Sequence, residues 1–178
     1  MNRLSGADVL VENRLFATLD ATTRRLELDG EALLLTDTVG FIRDLPHTLV
    51  ASFHATLAEV TQADLLLHVV DIASPQLDDQ MRAVHAVLEE IGAAERPTLL
   101  VFNKADALPA DLDAESIASR HGGGVVLSAA TGDGVDDLTQ RLVEAMRAQH
   151  RELVVEIPYS DGRTPAYLEE HAKILDRE

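Results

Sequence analysis

Apolar and polar positions along this chain follow two periods that take turns. Arg25 to Leu28 alternates polar and apolar and runs into Asp29-Gly30. Period-two alternation stopped by Asp-Gly predicts a strand and a two-residue hairpin turn. Glu31 to Thr36 is the expected return strand. Leu49 to Val60 switches to helical spacing, with Leu49, Phe53, Leu57 and Val60 on one face. Asp64 to Val70 is a short apolar run, the mark of a strand covered on both faces. Gln80 to Ile91 sets Met81, Val84, Leu88 and Ile91 inward and stops at Gly92, as a helix end does.

Pro97 opens a further strand over Thr98 to Phe102. Leu112 to Arg120 predicts a weaker helix broken by Gly122-Gly123-Gly124. Val125 to Leu127 reads as a strand, and Val135 to Arg147 as a helix that follows the turn Thr131-Gly132-Asp133-Gly134. Strands and helices alternating at this spacing argue for an α/β fold with right-handed crossovers and a mostly parallel sheet. After about residue 150 the pattern changes. Leu153 to Ile157 is strand-like, Pro158 to Pro165 loop-like and Ala166 to Leu175 helical. The expected organisation is one α/β domain over residues 1–150 and the beginning of a small C-terminal module over 151–178.

Composition narrows the class. The chain has 178 residues, of which 46% are apolar and 26% charged, the ordinary globular balance. Its net charge of −16 and the lack of a basic run disfavour direct DNA binding through a broad positive face. The local pair Arg24-Arg25 reads as a solvated strand start, with phosphate contact as its alternative. There is no cysteine, which removes disulfides, thiolate nucleophiles and Cys-based zinc sites. No run approaches the roughly 18 apolar residues that a membrane-spanning helix needs. The N-terminal residues lack a secretory apolar region. A cytoplasmic protein is therefore expected. The seven histidines show no metal-ligand spacing. His68, inside an apolar strand, is expected to be a core residue.

Candidate chemistry gathers at strand ends. Asp37 closes Leu33-Leu34-Leu35-Thr36, Asp71 closes Leu66 to Val70, Asn103 closes Leu99 to Phe102, and Ser128 closes Val125 to Leu127. In open α/β sheets ligands bind beyond the carboxyl ends of the strands, so parallel strands would line these groups along one edge. Asp37-Thr38-Val39-Gly40 suits a phosphate site. A strand-end carboxylate holds Mg²⁺ through water, and a glycine lets a backbone N–H approach a terminal phosphate. A plain strand-end turn carries the same pattern. Asn103-Lys104-Ala105-Asp106 is more specific. Asp106 offers a carboxylate to the guanine N1–H and exocyclic amine, a donor pair that adenine lacks. The stem of Lys104 can lie along the base face, and Asn103 can tie the loop together. In this order the two segments read as a guanine-nucleotide switch. No G-x-x-x-x-G-K-[ST] phosphate loop occurs in the sequence.

Beyond these motifs, the chain resembles the HflX family of bacterial GTPases. The resemblance rests on Asp8 to Arg24, including Phe16-Ala17-Thr18-Leu19-Asp20, and on Leu35 to His47, including Asp37-Thr38-Val39-Gly40-Phe41-Ile42-Arg43-Asp44-Leu45-Pro46. Ala63 to Asp71, Asn103 to Asp106 and Ser128-Ala129-Ala130 belong to it too. It implies a three-layer P-loop-type G domain, GTP or GDP with Mg²⁺ as cofactors, and the large ribosomal subunit as partner, mainly through regions outside this chain. By this likeness Thr18 is the switch threonine that joins the Mg²⁺ shell. Asp37 holds Mg²⁺ through water and Gly40 contacts the γ-phosphate. Phe16, Ala17, Leu19 and Asp20 flank Thr18 in the first switch, and Thr38 and Val39 lie in the second. Ser128 and Ala129 present a backbone N–H to the guanine O6. Ala130 stands where many GTPases carry a basic residue.

Phe41 stands where well-known GTPases carry a water-orienting glutamine, so the catalytic residue is unassigned. Arg43 and His47, in the same loop, are the residues there with chemistry to offer. In the family a strand and a phosphate loop precede Asn2, with that strand central between those ending at Asp37 and Asp71. Without it, two sheet edges are left, each unpaired buried group on them costing about 1–3 kcal/mol. Two functions are thus carried forward: a GTP hydrolase working on stalled or stressed ribosomes, and a non-hydrolysing fragment that binds guanine weakly or serves as an interaction module.

Overall fold

The computed structural model describes residues 4, 22–37, 59–149, 153–158, 160–172 and 174–176. The chain divides into two compact units, Met1–Arg147 and Ala148–Glu178.

In the first unit, β1 (Thr22–Leu28) pairs antiparallel with β2 (Glu31–Asp37), in register from Thr22 opposite Asp37 to Leu28 opposite Glu31. The Asp29-Gly30 turn has φ of 52° and 79° at its two residues. Positive φ at both positions matches the twist of a tight hairpin, which is why Asp-Gly serves there. One face of the hairpin is covered: Leu26 is buried and Leu33 half-buried opposite it, while Arg25, Glu27 and Leu34 are exposed. The Arg147 guanidinium reaches the turn and donates to Asp29 Oδ2 at 2.9 Å.

The second sheet is parallel and three-stranded, in the order β3 (Leu66–Asp71), β4 (Thr98–Asn103), β5 (Val125–Val126). Between these strands run α1 (Leu77–Glu90) and α2 (Ala114–Arg120), and α3 (Val135–Gln149) follows β5. β4 is covered on both faces. Phe102 packs with Val70, Leu77 of α1, and Ile117 and Ala118 of α2. Val101, pointing the other way, packs with Val125, Leu127, and Leu138 and Leu142 of α3. Helix, sheet and helix thus form three layers. Full burial of each large aliphatic side chain contributes about 1.5–3 kcal/mol.

Expected and observed elements differ at defined places. The parallel arrangement holds for β3, β4 and β5. The hairpin forms a separate two-stranded sheet, so strand pairing does not join β2 to β3. The expected helix over Leu49 to Val60 lies outside the described residues up to 58, and residues 59–62 are helical. α1 begins at Leu77, earlier than the expected Gln80. It ends as expected: Gly92 N–H donates to Glu89 O and Ala93 N–H to Leu88 O, closing the last carbonyls. α2 starts at Ala114 because Asp113 caps it, its carboxylate accepting Ser116 N–H at 3.0 Å. Hydrogen bonds from the Ser116 hydroxyl and N–H hold the Asp113 carboxyl below the usual carboxylate range.

In the second unit, the segment expected as a strand, Leu153 to Ile157, has no regular secondary structure and no strand pairing among the described residues. Val154 is 97% exposed there. A strand exists only where another strand supplies its ladder, and no local pattern can supply one. Helix α4 spans Arg163–His171, short of the expected Leu175. Asp161 nucleates it by accepting Arg163 N–H at 3.0 Å and Thr164 N–H at 3.2 Å.

Gly134 leads into α3 with φ of +75°, and a Cβ there would sit 2.3 Å from Val126 O. Gly134→Ala is expected to lower unfolding free energy by about 2 kcal/mol or more, since strain and clash add. Urea denaturation measures this; an unchanged midpoint contradicts it.

His68 sits half-buried on β3, and burial lowers its pKa below the ordinary 6.5. The fold therefore disfavours the protonated form, and the unfolded chain binds more protons below that value. Stability should fall as pH drops through about 6.5. His68→Leu should shrink the loss of unfolding free energy between about pH 7.5 and pH 5.5, read from denaturation at both pH values.

Candidate functional site

Parallel register sets the site. Asp71 lies opposite Asn103, and Phe102 opposite Val126, so the ends of β3, β4 and β5 come out side by side. Three of the four strand-end groups predicted from sequence, Asp71, Asn103 and Ser128, therefore share one edge. Asp37 ends β2 in the other sheet, exposed, and strand pairing does not bring it to them.

The loop after β4 is held by side chains. Asn103 Oδ1 accepts two backbone N–H bonds, from Lys104 at 2.8 Å and from Ala129 at 2.9 Å. One amide thus ties the loop after β4 to the loop after β5. Lys104 has φ of 65° and ψ of 35°, the left-handed region. For a residue with a Cβ this costs of order 1–3 kcal/mol and persists only where the surroundings impose it. They do: Ala105 N–H donates to Leu127 O at 3.2 Å, Ala107 N–H to Lys104 O at 2.9 Å, and Lys104 Nζ to Asp71 Oδ2 at 2.7 Å.

Asp106 stands in the short 3-10 turn Ala105–Ala107 that follows. Ser128 Oγ donates to its Oδ1 at 2.5 Å, and Ser128 is only 2% exposed. That hydroxyl also accepts Thr131 N–H at 3.1 Å, and Ser128 N–H donates to Asp133 O at 2.9 Å. Oδ2 of Asp106 has no hydrogen-bond partner among the described residues. The carboxylate is fixed from behind and keeps acceptor capacity at its exposed side. Such a group suits a ligand edge with two adjacent donors, and guanine has one. The Ala129 N–H, assigned to the guanine O6 by resemblance, is here engaged by Asn103 Oδ1. Ala130 is exposed beside it.

Of the remaining predicted residues, Phe16, Ala17, Thr18, Leu19 and Asp20, then Thr38, Val39 and Gly40, with Phe41, Arg43 and His47, lie outside the described residues. Sequence reasoning placed Asp71 at this edge without a role of its own and passed over Asp133, whose carboxylate accepts the Thr131 hydroxyl at 2.7 Å. The signal for the second was the Thr131-Gly132-Asp133-Gly134 turn. Among the described residues no group of three or more His, Asp or Glu is arranged to hold a metal, and no helix is long and apolar enough to cross a membrane.

A family model described as a 50S ribosome-binding GTPase matches residues 1–104. GTPase HflX of Caldanaerobacter subterraneus subsp. tengcongensis is 41% identical over 179 residues, covering all of this chain and 40% of that protein. The chain belongs to the HflX family of GTPases. GTPase HflX of Escherichia coli is 46% identical over 168 residues, 91% of this chain and 38% of that protein. The chain thus spans about two fifths of the length of these relatives. A GTP-binding protein from Sulfolobus solfataricus, solved in complex with GDP, superposes with a TM-score of 0.67 at 22% identity, over 84% of this chain and 48% of that one. That likeness establishes the G-domain fold.

Ser128→Ala should leave the Thr131 N–H and Asp106 Oδ1 without their partner, at a cost of about 1–3 kcal/mol. Hydrogen exchange should quicken at the Thr131 amide while Phe102 in β4 stays protected. Uniform quickening of both amides would contradict a local role.

Proposed function

We propose that this chain is the guanine-reading and phosphate-sensing part of a GTP hydrolase that works on the large ribosomal subunit in the cytoplasm. The carrying observation is the Asp106 carboxylate held by buried Ser128 at the edge where β3, β4 and β5 end. The 50S ribosome-binding description of the matching family and the GDP held by the Sulfolobus protein support the nucleotide and the partner.

In this reading Asp106 accepts the guanine N1–H and exocyclic amine. Lys104 covers one face of the base, and Asn103 keeps the Ser128-Ala129-Ala130 loop beside it. Asp37, exposed at the end of β2, suits a carboxylate that meets Mg²⁺ through water, an ion that keeps several waters and takes one or two carboxylates. Mg²⁺, when bound, would neutralise phosphate charge. Thr18 and Gly40 would complete the sensor, the threonine hydroxyl holding the metal and the glycine backbone N–H the γ-phosphate. With Phe41 in the glutamine position, water positioning comes from elsewhere in the whole protein or from the ribosome.

A second reading is favoured by the sequence itself, which has no G-x-x-x-x-G-K-[ST] motif. The 178 residues then act as a base-reading module that binds guanine weakly and does not hydrolyse GTP. Guanosine and GDP should bind the isolated chain with similar affinity.

Asp106→Asn tests the assignment common to both readings. Asparagine replaces an acceptor with a donor amide. Guanosine affinity should fall at least about tenfold, and xanthosine, with a carbonyl where guanosine has its amine, should gain. NMR titration of the chain with each nucleoside reads both changes. An unaltered guanosine-to-xanthosine ratio overturns the guanine assignment.

A further inference from the structure

We propose that Asp71 is a positioning residue for base recognition, holding Lys104 where its stem covers the purine. The inference rests on the guanine reading above and adds a residue to it.

Asp71 is the one strand-end carboxylate at this edge without a role in that reading. Its two oxygens are divided. Oδ1 accepts Ala73 N–H at 3.0 Å and turns the chain beyond β3. Oδ2 accepts Lys104 Nζ at 2.7 Å. Parallel pairing fixes both ends of this link: Asp71 lies opposite Asn103, and Ile72 N–H donates to Asn103 O at 3.0 Å. Lys104 is therefore held at three points, its backbone in the left-handed region, its N–H on Asn103 Oδ1 and its ammonium on Asp71.

A free lysine has more rotamers than almost any side chain, and binding a ligand along its stem freezes them. The ion pair restricts that freedom before the base arrives. It does so at a site where Lys104 remains 58% exposed and Asp71 32% exposed, so the methylenes stay open to a planar ligand while the charge is engaged. An ordinary exposed ion pair adds little stability; this one's effect is expected in binding. Its contribution is independent of which base edge is presented, because the stem meets a ring face and Asp106 reads the edge.

Asp71→Asn keeps an oxygen for the Ala73 turn and removes the charge. Titrations of the full chain with guanosine and with xanthosine, followed by the Lys104 and Ala105 amide resonances, are the test. Asp71→Asn should weaken guanosine about three- to fivefold and leave the guanosine-to-xanthosine ratio unchanged. Lys104→Ala, which removes the stem, should weaken it further, and adding Asp71→Asn to Lys104→Ala should change nothing more. In the free chain, the Lys104 ammonium protons should exchange faster in Asp71→Asn than in the native protein and slow again in Asp71→Glu. A shifted thermal midpoint with native nucleoside affinity, or additive effects of the two substitutions, would show a merely structural carboxylate and overturn the proposal. Equal binding of guanosine and xanthosine by the native chain removes the guanine reading and this proposal together. A native preference for guanosine that Asp71→Asn does not weaken removes the proposal alone.

Discussion

The pairing of β4 with a parallel neighbour on each side is the constraint on which everything else in the first unit depends. Its residues alternate between two helix-covered faces, so Val101 and Phe102 anchor opposite cores. Because β3 and β5 run in the same direction, their polar ends emerge at the same edge as its own. A slip of one residue would exchange the two faces and send Phe102 into the space packed for Val101. The packing of apolar side chains thus sets the register, and the register sets which polar groups meet.

At that edge the polar groups are joined by few bonds. The Asn103 side-chain oxygen Oδ1 joins two loops that are 26 residues apart in sequence. Ser128, buried on the sheet side, fixes Asp106 on the solvent side. The cost of burying the hydroxyl is offset only while it keeps both its carboxylate acceptor and the Thr131 N–H donor. The site is therefore rigid where it meets the core and open where it meets solvent. Pre-ordering of this kind lowers the entropy lost when a ligand meets a polar edge.

The hairpin stands apart as a sheet of its own, and with it Asp37. β3 has β4 on one side; among the described residues no strand pairs along its other edge. Val69, in the middle of β3, is 56% exposed for a residue of its type. Relatives in this family are more than twice as long as the matched segment.

Much of this molecule follows from local sequence. Asp29-Gly30 dictated a hairpin because few residue pairs accept two positive φ values, and the apolar spacing over Gln80 to Ile91 named the face of α1 that is covered. Asn103 to Asp106 stood out because a guanine-reading loop would need those residue types in that order, whereas Ser128 to Ala130 stood out only through resemblance to the family. Local pattern went no further where the partner lies far along the chain. It made Leu153 to Ile157 a strand although among the described residues no strand pairs with it, and it left Asp71 without a function. The left-handed backbone at Lys104, the Asp71 ion pair and the Ser128 bond to Asp106 come from tertiary structure. Each joins groups that the sheet, and not the sequence neighbourhood, brings within hydrogen-bonding distance.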